Sequence, residues 1–347
     1  MEHQSLQWLR RPIEDTSEHP YIILDSGAYS IWRSGAKVDL PKYYDYCVTV
    51  KDQTLTCVNL DVIPGAWGRR ASPLEVEQAC EESFKRWEYL SKSGALIMPV
   101  YHQTDSLYWL QKYVAEGAIY IGISPTDSFP ARIRQHWLEQ VHLYMQDTLH
   151  VELKKDVYTH ALGVFSPQAL LKTPLLWSAD ASTLLRYVAM KRILYPKYEN
   201  VRDPSIVSGW EVVYVGSRKA TATADNNVDW EAIKRYLASI GHENSYTVVN
   251  GRIAIDDFCT LISINLALAR KAMHQCGVRC FVAGQLPLAI WQVTVAEHYP
   301  YILRSYAAIK ETHGNTIKQL FDRVTPKPPR RPERDKQVVP PRGLLTF

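Results

Sequence analysis

The feature that most constrains this chain is a repeated grammar: a short apolar run rich in β-branched and aromatic residues, a polar residue, then a turn. It recurs at residues 21–24, 55–60, 95–101, 118–125, 157–164 and 175–180. Helix signals fill the gaps. Residues 41–47 carry aromatics at helical spacing, Ser72-Pro73-Leu74-Glu75 opens a helix that Gly94 stops, and further helices are predicted over 106–116, 131–145 and 167–171. Strands that alternate with helices at such short intervals call for a parallel sheet with helical crossovers, and exclude a sandwich or a bundle. At 347 residues, 46% hydrophobic and 22% charged, the chain has enough apolar material for one large α/β domain.

In parallel α/β folds the reaction face lies at the carboxyl ends of the strands. Three of the runs end there in an acid: Asp25, Asp61 and Asp180. Asp25, in Asp25-Ser26-Gly27, reads equally as a catalytic acid or as the cap of the next helix. Gly122, inside the fourth strand, suggests close approach of a ligand to the backbone. Past residue 190 the rhythm loosens: 195–209 reads as a polar, Pro-containing connection, 211–215 and 279–284 as strands, and 229–240, 256–275 and 289–321 as helices. Gly216-Ser217-Arg218-Lys219 lacks the spacing of a P-loop, which argues against nucleotide hydrolysis. The organisation expected is a lead-in over 1–19, a catalytic α/β domain over 20–324 and a Pro- and Arg-rich tail over 325–347.

A net charge of +4 falls short of announcing a nucleic-acid binder by itself. Cysteines 47, 57, 80, 259, 276 and 280 do not form a secreted disulfide framework, the first residues carry no leader pattern, and no window is apolar enough for a membrane span. A soluble protein in a reducing, cytoplasmic setting is the expectation.

Six short motifs, taken in order, resemble those of the tRNA-guanine transglycosylase superfamily, and more closely its DpdA-type 7-deazaguanine DNA transglycosylases. Asp25-Ser26-Gly27-Ala28-Tyr29 is similar to Asp-Ser-Gly-Gly-Phe, and Asn59-Leu60-Asp61 to the strand end that reads guanine. Val100-Tyr101-His102-Gln103 falls where the family has Val-Gln-Gly-Gly, and Tyr120-Ile121-Gly122-Ile123 resembles Ile-Gly-Gly-Leu. Leu162-Gly163-Val164 resembles Met-Gly-Val, and Ser178-Ala179-Asp180 stands in the place of the nucleophile.

The resemblance implies a TIM-type (β/α)8 barrel, irregular in its last strands, which 211–215 and 279–284 either complete or leave incomplete. It implies exchange of guanine in DNA for a free 7-deazaguanine such as preQ0, with no cofactor. Asp180 would be the nucleophile and Asp25 the acid/base. Asp61 would read the guanine edge, while Ser26, Gly27, Tyr29, Tyr101, His102, Gly122, Ile123, Leu162 and Gly163 would surround the base. Arg69, Arg70, Arg132, Arg134, Arg218 and Lys219 are the candidate phosphate contacts, on a strand that is single or has its base flipped out. The family's zinc motif, Cys-x-Cys-x-x-Cys, is absent; Cys259, His274, Cys276 and Cys280 are irregularly spaced and read as core. Loss of that module favours DNA over tRNA. The alternatives are a tRNA enzyme without its zinc module, a silent nucleic-acid-binding barrel, and a glycosidase in which water resolves the intermediate.

Overall fold

The computed structural model describes residues 4–10, 22–52, 54–65, 69–126, 129–164, 170, 173, 175–181, 187–200, 203–216, 228–257, 260–265, 267 and 277–282. All of these lie in one compact unit. The expected helices over 167–171 and 289–321, most of the expected 256–275 helix, and the tail over 325–347 fall wholly or largely outside them.

Seven short parallel stretches run side by side. In chain order they are β1 (Ile23–Leu24), β2 (Thr56–Val58), the split pair β3 (Ile97–Met98) and β4 (Val100–His102), β5 (Tyr120–Ser124), β6 (Tyr158–Ala161), β7 (Ser178–Ala181) and, later in sequence, a strand at Arg279–Val282. β1, β2 and β3 form one sheet; β4, β5, β6, β7 and the late strand form the other in that order. Pro99 divides β3 from β4 because it has no amide to donate, and its carbonyl instead accepts the Gly122 amide at 2.8 Å. The two sheets thus meet along one stretch of chain, and among the described residues no pairing joins β1 to the late strand.

Helices α1 (Gln4–Leu9), α2 (Ala28–Ser34), α3 (Leu40–Val50), α4 (Pro73–Ser91), α5 (Leu107–Ala115) and α6 (Ala131–Asp147) supply the rest of this half. Their starts follow from local chemistry. The Asp39 carboxylate accepts the Lys42 amide at 3.0 Å, and Ser72 with Glu75 forms a reciprocal capping box ahead of Pro73. α4 turns Cys80, Phe84, Trp87 and Leu90 inward at helical spacing.

Strand alternation then divides the core. Cys57, Ile97, Tyr101, Ile121, Ile123, Ala161 and Ala179 share a cluster with the crossover helices. Val58, Met98, Val100, Tyr120 and Tyr158 face the other way, into a second cluster with Trp8 and Leu9 of α1. The Trp177 indole donates to the Leu9 carbonyl at 3.1 Å, so part of the 1–19 stretch is a helix packed against the sheet.

The second half departs from expectation. Residues 195–200 and 203–209 are not a loose connection: β8 (Arg192–Asn200) and β9 (Asp203–Tyr214) form a long antiparallel hairpin with register shifts after Lys197 and after Tyr198. The 211–215 run therefore pairs within this ribbon and does not extend the parallel sheet. A second hairpin, β10 (Thr247–Val249) and β11 (Arg252–Ala254), turns at Asn250-Gly251, both at positive φ (51° and 76°) as a two-residue turn requires. α7 (Trp230–Ser239) lies between the hairpins, and the late strand becomes β12. Among the described residues no helix is long and apolar enough to cross a membrane.

Candidate functional site

The three strand-end acids are held in three different ways. Asp25 follows β1 directly, and its Oδ1 accepts the Gly27 amide at 3.3 Å, while the Ser26 hydroxyl accepts the Ala28 amide. Gly27 sits at φ 72° as the N-cap of α2. The Trp32 indole of α2 donates to the Gly65 carbonyl at 2.8 Å, tying this turn to the loop after β2.

Asp61 lies near the start of that loop, three residues after β2. The Asn59 amide donates to the Met98 carbonyl, its side chain to the Ser83 carbonyl at 2.9 Å, and the Ser83 hydroxyl accepts the Val62 amide. Clamped between β3 and α4, Asp61 is buried, and its Oδ2 lies 3.1 Å from His102 Nε2.

His102 closes β4, where its ring lies between two carboxylates. Nε2 meets Asp61, and Nδ1 is 3.3 Å from Asp105 Oδ2, which also accepts the His102 amide at 2.8 Å. Burial alone would lower its pKa, but Asp105 first and Asp61 second outweigh burial and raise it to about 10. At neutral pH the ring is an imidazolium donating from both nitrogens.

Asp180 is held differently. Its Oδ1 accepts the Gly163 amide at 2.7 Å and lies 3.3 Å from His160 Nε2. Behind it runs a buried chain: His160 Nδ1 to Ser178 Oγ at 2.7 Å, and Ser178 Oγ to the Tyr120 hydroxyl at 2.6 Å. A carboxylate only accepts, so His160 donates from Nε2. An order in which Tyr120 donates to Ser178 and Ser178 to Nδ1 matches a proton on Nε2, beside Asp180. Burial raises the Tyr120 pKa, so the phenol keeps the proton this order requires. Phe281 of β12 packs edge-on against His160 at 5.7 Å.

The acids share one electrostatic neighbourhood. Asp25 is itself exposed to solvent, but the protein crowded around its carboxyl raises its pKa, and the charges of Asp180 and Asp61 raise it further, against the opposing pull of the Gly27 amide. Asp25 therefore holds a proton more readily than an ordinary carboxyl, whereas Asp180 has two donors arranged around negative charge.

Not every expected contact joins the site. Tyr101 and Ile123 turn away from it: each alternates with residues on the acid side and lies in the helix-facing cluster, with Tyr101 stacked on Trp137 at 5.8 Å. Gly163 serves Asp180 through its amide, at a φ of 67° that suits glycine. Gly122 and Leu162 are neighbours: a Cβ on Gly122 would stand 3.1 Å from Leu162 Cδ1, so the glycine admits that side chain. Tyr29 is exposed on α2, with its ring 5.9 Å from Trp32. Of the basic residues, Arg69 is ion-paired with Glu75 at the start of α4, Arg70 and Arg132 are exposed, Arg134 is half-buried, and Arg218 and Lys219 lie outside the described residues.

His160, Ser178, Tyr120 and Asp105 were not singled out from sequence. Strand parity carried the signal for two of them: His160 shares a face with Leu162, and Ser178 with Asp180. Among the described residues no three His, Cys, Asp or Glu side chains are grouped to hold a metal ion; Cys259, His274 and Cys276 lie outside them. No family profile, curated protein or solved structure matches the chain.

Proposed function

We propose that this protein exchanges guanine in DNA for a 7-deazaguanine such as preQ0, through a covalent bond between Asp180 and the sugar. The observation that carries the reading is the convergence of Asp25, Asp61 and Asp180 at the carboxyl ends of parallel strands, where Asp25 is perturbed by the other two. The reading expects the parallel strands to close as a TIM-type barrel.

In the first step an Asp180 oxygen attacks C1′ of a single-stranded or flipped-out nucleotide as the bond to guanine N9 breaks. The electron pair leaves with the base, which takes a proton from the Asp25 carboxyl. In the second, Asp25 removes the N9 proton of the incoming 7-deazaguanine, N9 attacks C1′, and the ester to Asp180 breaks. The transition states are oxocarbenium-like, so a carboxylate close to C1′ stabilises them. His160 and the Gly163 amide aim Asp180, and the Tyr120–Ser178–His160 chain fixes the tautomer.

Asp61 reads the N1–H and N2–H pair that guanine presents and adenine lacks. His102 is better placed to hold Asp61 than to touch the base, because both of its nitrogens are engaged. Leu162 offers an apolar wall.

Nucleoside mass analysis of DNA and tRNA tests this, from cells that make 7-deazaguanines and express the wild type or Asp180→Ala. The expected result is a 7-deaza-deoxyguanosine in DNA with the wild type alone. Modified tRNA without modified DNA would overturn the substrate, and abasic sites in place of a new base would show water resolving the intermediate.

A further inference from the structure

At the opposite ends of the same strands lies a cavity of about 340 Å³, lined by Leu9, Arg10, Lys154, Lys155, Tyr158, Trp177, Gly277 and Arg279. Tyr158 opens β6, Trp177 precedes β7 and Arg279 opens β12, so this cavity is at the entry edge of the sheet while Asp180 is near the exit edge.

Four of the lining side chains are cationic. Lys155 is paired with Glu152 at 2.6 Å on the surface. Lys154 is different: its ammonium donates to the Gly277 carbonyl at 3.1 Å, with no carboxylate partner among the described residues. Its pKa is lowered, first by burial and then by the positive charge of Arg279. The Arg279 guanidinium lies over the Trp177 ring at 4.3 Å, and Arg10 hydrogen-bonds the Tyr158 hydroxyl. Arg279 and Lys154 repel one another across this recess, and an anion bound between them relieves that cost. Two guanidinium forks suit tetrahedral oxyanions, and Trp177 and Tyr158 add apolar wall for a small organic body. The volume falls within the roughly 300–1,000 Å³ typical of small-molecule sites.

We propose that this cavity binds a small phosphate-bearing anion, either inorganic phosphate or a phosphomonoester, with Lys154, Arg279 and Arg10 as its ligands. The inference stands apart from the base-exchange reading, and Asp180→Asn should leave it intact.

The test uses the full chain in calorimetric titrations with inorganic phosphate and with ribose 5-phosphate, at constant ionic strength made up with chloride. One saturable site is expected, weakened at least tenfold by Lys154→Met and by Arg279→Met. Tighter binding of ribose 5-phosphate would assign the aromatic wall to an organic body, and equal binding would assign the site to phosphate itself. A measurement on the unaltered protein guards against misfolded variants: the ligand should slow acetylation of Lys154 several-fold relative to Lys85, which is exposed and distant in sequence. Absence of saturable heat, binding that survives both substitutions, or no protection of Lys154 would overturn the proposal. So would occupancy by a single-stranded oligonucleotide but by neither small anion.

Discussion

Replacing His102 with Gln probes the most strongly perturbed group in the candidate site. The imidazole's pKa rises from 6.5 to about 10 in the folded protein, with Asp105 and Asp61 as the cause. At ~1.4 kcal/mol per pH unit this corresponds to roughly 5 kcal/mol of preference for the charged ring in the native state. Because the folded value lies above the unfolded one, this stability is fully present below about pH 6.5 and is lost as pH rises through about 10. Glutamine removes that alkaline loss. It also leaves Asp61 and Asp105, whose side chains are only 7% exposed, as uncompensated neighbours, at a cost of about 3–5 kcal/mol near pH 7. The variant should therefore lack the loss of stability that the wild type shows as pH rises from 7 toward 10. Urea unfolding followed by tryptophan fluorescence at pH 5, 7, 9 and 10 gives the comparison. A wild-type-to-variant gap below about 1 kcal/mol at pH 7, or parallel stability curves, would refute the sandwiched-imidazolium account.

Two further outcomes follow from the acids themselves. Gly163→Ala places a side chain at φ 67° with open space around it, so the cost is backbone strain of about 1–2 kcal/mol; thermal melting should register a drop, and an unchanged melt would contradict it. Base exchange should fall further than stability, because the same amide aims Asp180. The alkaline limb of the pH–kcat/KM profile should lie above the ordinary carboxyl range, reflecting loss of the Asp25 proton, and Asp61→Asn should move it downward by removing a neighbouring negative charge. A limb that stays in place in that variant would separate Asp25 from the titration.

The parallel half of the fold was legible because its strands are bounded by turn chemistry and its helices by caps. Ser72, Pro73 and Glu75 mark the start of α4 in sequence as they do in space. Motif resemblance misled where it ignored alternation. Val100 and His102 share one face of β4, which sends the intervening Tyr101 to the helices whatever residue a family carries there. The long hairpin was hidden by Pro196, Pro204 and Gly209, which argue against a central strand but fit a two-stranded ribbon whose outer edges need no donor. The second hairpin did announce itself through Asn250-Gly251, yet its strands are short and Val248 is exposed, so the apolar alternation that flags a strand is weak. His102 was placed at the site, but its partner Asp105 could be recognised only once the β4–α5 turn brought that carboxylate back onto the ring.

The most direct measurement is to trap the intermediate. Incubated with guanine-containing single-stranded DNA and quenched in denaturant, the wild type should carry a nucleotide adduct that peptide mass mapping assigns to Asp180, and Asp180→Asn should carry none. An adduct on another residue, or exchange that proceeds at full rate in Asp180→Asn, would contradict the account.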